Sequence, residues 1–120
     1  MNAPSSTALT VIPVPVLVDR ALDRLWRAKT AAFRMPYATD AQSAARARTI
    51  AELYSRERRW WEVLSRHASS DVLSAYRLAV IEASAKARGD AIFWNDTAAY
   101  WAARANGATA AEADTARWSA

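Results

Sequence analysis

The sequence predicts an all-α fold built on a long antiparallel helical hairpin, with helices at about 39–68 and 70–105. A shorter N-terminal helix, about 16–34, packs on the hairpin, and a short C-terminal helix follows it. Residues 1–15 form an extended arm, and residues 16–120 form a single helical domain. Three observations predict this. Thirty of the 120 residues are alanine and only two are glycine, and alanine is the strongest helix former. All four prolines lie at or before Pro36, so no later residue forbids helix. Finally, one apolar phase of helical period persists from Leu73 to Ala105.

In the arm, Pro13 and Pro15 fix φ and push the residues before them toward extended backbone. Val11, Ile12 and Val14 are its candidates for docking, onto this domain or onto a partner. The run "VIPVPVLV" (11–18) is far short of the roughly 20 residues a membrane span needs. It also lacks the basic lead and small-residue cleavage site of a signal peptide, so a cytoplasmic protein is expected. The first helix starts near Pro15 or Val16, because proline suits a first turn. Leu17, Val18, Ala21, Leu22, Leu25, Ala28, Ala32 and Phe33 share one side of it, opposite Asp19, Arg20, Asp23, Arg24, Arg27 and Arg34.

Thr39 and Gln42 form a capping box that opens the second helix. Its apolar stripe contains Ile50, Leu53, Tyr54, Trp61, Leu64 and Ala68, with Trp60 at the edge. Two charged residues fall inside that stripe. Glu57 is expected to be a buried carboxylate, and such a group requires a partner or a raised pKa. Hairpin register sets it near residue 82, within reach of Arg77, Ser84 or Tyr76. Arg46, three turns earlier, comes level with Asp90 to Asp96. Either they are buried contacts that fix register, or they belong to a polar site between helices. Ser69 or Ser70 caps the third helix.

In the third helix the main strip is Leu73, Tyr76, Val80, Ala83, Ala87, Ala91, Trp94, Ala98, Trp101 and Ala105. A break at Gly89 would reset the phase, so one continuous helix is expected. A second strip, Leu78, Ile81, Ala85, Ile92, Ala99 and Ala103, lies about 120° around the helix. Apolar on two sides, the helix is expected to sit between two neighbours. The first helix is too short to cover the whole second strip, which makes Leu78, Ile81 and Ile92 interface candidates. "ANG" (105–107) supplies a left-handed stop, and "TAAE" (109–112) a second capping box before the helix that carries Trp118.

Formal charge is +4, from 16 basic and 12 acidic residues, concentrated in the N-terminal half. In "YSRERRWWEVL" (54–64) arginines adjoin tryptophans, as in a nucleic-acid reader. Wound on a helix, however, the tryptophans turn inward. Glu52 pairs with Arg56, and Glu62 is shared by Arg58, Arg59 and Arg66. A nucleic-acid surface needs free arginines and free rings.

Catalytic chemistry has little to rest on. There is no cysteine and a single histidine, His67, so ordinary zinc and haem sites are not expected. With glycine only at 89 and 107, the common glycine-rich nucleotide cradles are excluded. No cofactor, metal or nucleotide is expected, and neither is an enzyme. The expected function is protein association, with a copy of the chain or with a helical partner. The alternative is a nucleic-acid-binding or regulatory module using Arg20, Arg24, Arg27, Arg56, Arg58 and Arg59.

Overall fold

The computed structural model describes residues 11–67 and 74–118, which form four helices and no strand. They are α1 (Val14–Phe33), α2 (Asp40–His67), α3 (Ser74–Ala105) and α4 (Ala110–Trp118). The capping serines Ser69 and Ser70, the core positions Ala68 and Leu73, and residues 1–10 lie outside the described residues.

Helix α1 begins at Val14, one or two residues before the expected start at Pro15 or Val16. The carbonyl of Pro13 accepts from the amides of Val16 (3.0 Å) and Leu17 (3.1 Å), which opens the helical ladder. Pro15 falls in the first turn, where its missing N–H costs nothing. Val14 thereby leaves the arm and packs against Val18, Leu64 and Val80. At the start of α2, the Gln42 amide donates to Thr39 Oγ1 at 3.1 Å and the Thr39 amide to Gln42 Oε1 at 3.2 Å. The same reciprocal box opens α4, with 2.9 and 3.2 Å bonds between Thr109 and Glu112. The Thr109 backbone amide, and then its hydroxyl, hold the Glu112 carboxyl below its ordinary pKa of 4.5. This cap is therefore complete above that ordinary value and is lost as pH falls through the lowered one.

Helix α3 runs unbroken through Gly89. It ends in a Schellman motif, in which Ala108 donates to the Ala103 carbonyl and Gly107 to that of Arg104, both at 3.0 Å. Gly107 holds φ at +94°, which an L side chain adopts only under strain.

Helices α2 and α3 form the antiparallel hairpin and share the most extensive contact; α1 packs on α2, and α4 folds back on the end of α3. Nine of the fifteen buried apolar residues are alanines, among them Ala44, Ala47 and Ala51 of α2 and Ala87, Ala91 and Ala98 of α3. Small residues let helices approach closely, but each buries little area. The larger buried side chains form two clusters. Leu25, Ile50 and Leu53 lie toward one end, and Val18, Leu64 and Val80 toward the other. Trp60, half-buried, packs against both and joins them.

The expectation that α3 sits between two neighbours is corrected, while the expected lack of cover over part of its second strip is seen. Its main strip is buried at Val80, Ala87, Ala91 and Ala98, but Leu78, Ile81 and Ile92 are 59, 56 and 51% exposed. The reason is geometric: the apolar side of α1 packs on α2 and on the main strip of α3, at Val80 and Trp94, so it leaves the far side of α3 bare. Only Ala99 and Ala103 are half-buried, at the end where α4 folds back. Tyr76, in the core strip of the sequence reading, is 40% exposed, because it lies in the first turn of α3, one turn ahead of Val80 and at the turn end of the hairpin.

The two glycines give opposite expectations. A Cβ at Gly89 meets nothing within 4 Å on ordinary helical backbone, so Gly89→Ala raises stability by up to about 1 kcal/mol. Gly107→Ala lowers it by roughly 1–2 kcal/mol through the left-handed φ. Urea unfolding followed by circular dichroism measures both.

Candidate functional site

Glu57 lies between α1 and α2. Its Oε1 is ion-paired with Lys29 Nζ of α1, and its Oε2 accepts from the Trp61 indole N–H at 3.2 Å. The side chains of Lys29 and Glu57 are only 15 and 19% exposed. Lys29 also sits 4.4 Å from the centre of the Tyr54 ring. The expected partners on α3, Arg77, Ser84 and Tyr76, are therefore replaced by one on α1, because Glu57 faces α1. Sequence reasoning missed Lys29, although the signal is legible. Lys29 is four residues after Leu25 and seven after Leu22, a charge inside the apolar phase of α1, just as Glu57 is in α2.

Arg46 does come level with the expected stretch of α3, meeting Trp94, but it pairs with no carboxylate there. Its Nε and Nη2 donate to the Phe33 carbonyl at 3.3 and 3.2 Å, satisfying an end-of-helix acceptor of α1. The guanidinium lies 4.9, 5.5 and 5.7 Å from the ring centres of Tyr37, Phe33 and Trp94. Phe33 and Trp94 meet edge to face at 5.5 Å. A weakly hydrated planar cation suits such a cage better than an acidic partner, since rings and carbonyl together replace its water. Both in-stripe charges are thus occupied by groups of this chain.

The six arginines of the alternative reading do not share one face. Arg24, Arg56 and Trp60 line the cleft between α1 and α2, with Arg59 beside Arg56 and Trp60. Arg58 instead lines a groove between α2 and α3. Arg56 pairs with Glu52 at 3.1 Å and Arg58 with Glu62 at 3.0 Å. Arg59 reaches Glu52 at 3.8 Å rather than the expected Glu62. Arg27 pairs with Asp23 at 3.1 Å, while Arg20 is exposed. Trp60 and Trp61 are both half-buried against the core, and of the two only Trp60 also lines the cleft with Arg24, Arg56 and Arg59.

That groove between α2 and α3 encloses about 620 Å³, with no lining residue from α1. Ile81, Ala85 and Ile92 form its apolar wall, and Arg58, Glu62, Arg66 and Arg88 its charged rim. Sequence reasoning found the apolar wall but not the rim, because helical wheels drawn one at a time do not show which rows of two helices become neighbours. Of the arm candidates, Val11 is 83% exposed and Ile12 partly so. Among the described residues no three His, Cys, Asp or Glu side chains converge, and no helix is long and apolar enough to cross a membrane.

The Lys29–Glu57 pair supplies a test of its structural weight. Lys29→Met strands the carboxylate and Glu57→Gln strands the ammonium. Each costs about 2 kcal/mol, below the roughly 3–5 kcal/mol of a fully buried pair because water reaches part of both groups. The double variant loses clearly less than the sum of the singles, read by urea unfolding as a double-mutant cycle.

Compared with known protein families, characterised proteins and solved structures, the chain matches none of them.

Proposed function

We propose that this chain is a non-enzymatic helical protein that works by packing against another helix, from a second copy or from a partner protein. The observation that carries the reading is the bare strip of α3. Leu78, Ile81 and Ile92 present three large aliphatic side chains, each more than half exposed, on a helix whose other side is core. Single exposed apolar residues are ordinary, but an aligned row beside a groove is how helix-receiving surfaces are built. Val11, exposed ahead of α1, adds a second apolar contact point. Nucleic-acid binding has less support, since Arg56, Arg58 and Arg59 are engaged with Glu52 and Glu62 and the neighbouring indoles are half-buried against the core.

Replacing both isoleucines by aspartate (Ile81→Asp with Ile92→Asp) leaves helicity unchanged, since neither side chain is buried. The same change abolishes association, measured as a shift to monomer mass in sedimentation equilibrium or as loss of a co-purifying protein. A wild-type chain that stays monomeric at all concentrations and holds no protein partner would sink the reading.

A further inference from the structure

The strip on α3 has a finer pattern than its exposure. Leu78, Ile81, Ala85 and Ile92 are spaced 3, 4 and 7, the a and d positions of a coiled-coil seam. In that repeat the position between Ala85 and Ile92 is Arg88. Arg88 makes no ion pair among the described residues, and neither does Arg66 across the groove, whereas Glu62 is already paired with Arg58. The groove lining thus holds three arginines and one engaged carboxylate. The seam also has room for a close neighbour: Ala85 is small, and the space beside Gly89 is open for 4 Å around a would-be Cβ.

We propose that this groove receives an acidic amphipathic helix from a partner protein, four turns long, with a carboxylate set against Arg88. This rests on the association reading above and names the chemistry of the partner. Length follows from the strip, since Leu78 to Ile92 spans about 21 Å of helix. Acidity follows from the rim. A second copy would bring the same arginine-rich rim, from a chain of net charge +4, against like charge, which disfavours it as the occupant. A charged residue at a seam position selects the partner that can answer it, while the apolar positions supply the contact area.

The test uses the full chain and a fluorescein-labelled synthetic helix of about 18 residues. Leucine occupies its a and d positions except for one glutamate placed to meet Arg88, and glutamate flanks the seam. A matched peptide carries lysine in place of every glutamate. Fluorescence anisotropy is expected to show the acidic peptide binding at least about tenfold tighter, with affinity falling as salt rises. Arg88→Glu, an exposed change that leaves the fold intact, removes or inverts that preference. Ile81→Asp with Ile92→Asp weakens both peptides. Equal binding of the two peptides, or a preference that survives Arg88→Glu, overturns the proposal. If neither peptide binds but sedimentation shows a dimer that the isoleucine changes break, the occupant is a second copy. The proposal then falls while the association reading stands. A labelled single-stranded oligonucleotide that binds and is released by Arg88→Glu assigns the rim to phosphate, and overturns the proposal as well.

Discussion

Because three buried alanines of α2 and three of α3 line the hairpin, the two long helices lie close together, and the rest of the molecule follows from that proximity. Alanine pairs permit the short end of the about 8–10 Å range of helix separations, but bury little more than a methyl group each. Such a seam gives intimate contact without specifying register, since one alanine fits against another almost anywhere along it. Register and orientation must come from larger or charged groups. In this chain those groups are few and each is distinctive: Trp60 between the two apolar clusters and Arg46 against Trp94 for the hairpin, and the Lys29–Glu57 pair for the seat of α1 on α2.

That division of labour separates the polar groups into two kinds. Glu57, Lys29 and Arg46 are each partnered by this chain's own side chains and carbonyls. Arg66 and Arg88 look into a groove and are completed by nothing among the described residues. A site search guided only by buried charge would settle on the first kind. Geometry reverses the priority, because a satisfied pair is architecture and an unanswered one beside bare isoleucines is an opportunity for contact.

Much of the fold was legible in the sequence because it depends on local signals. Two capping boxes, a left-handed stop at Gly107 and an uninterrupted apolar phase through Gly89 each act over a few residues of one helix, and each appears in the structure. What failed depends on which helices become neighbours. Glu57 was assigned a partner on α3 because hairpin register alone can be drawn from one sequence. The choice of Lys29 depends on the side of α2 that α1 takes, and no helical wheel of α2 contains that. The same blindness makes α3 a helix between two neighbours on opposite sides, when α1 packs on the same side of α3 that α2 covers. For the groove, the wall was readable as periodicity and the rim was not.

Each helix makes its backbone contacts with the helix before or after it in the chain, α1 with α2, α2 with α3 and α3 with α4. Side chains add a link that the backbones do not make, because Val18 meets Val80 and Phe33 meets Trp94 across α1 and α3, and this changes what stability means. In a closed bundle every element touches most others, and loss of one unravels all. Here α1, α2 and α3 share the Val18–Leu64–Val80 cluster and the Phe33–Trp94 contact and hold together as one unit, while α4 is attached only at the end of α3. α4, held by one short interface and its capping box, can open without disturbing the hairpin, whereas parting α2 from α3 undoes everything at once. Amide hydrogen exchange along the chain would accordingly form a gradient that peaks at the alanine seam.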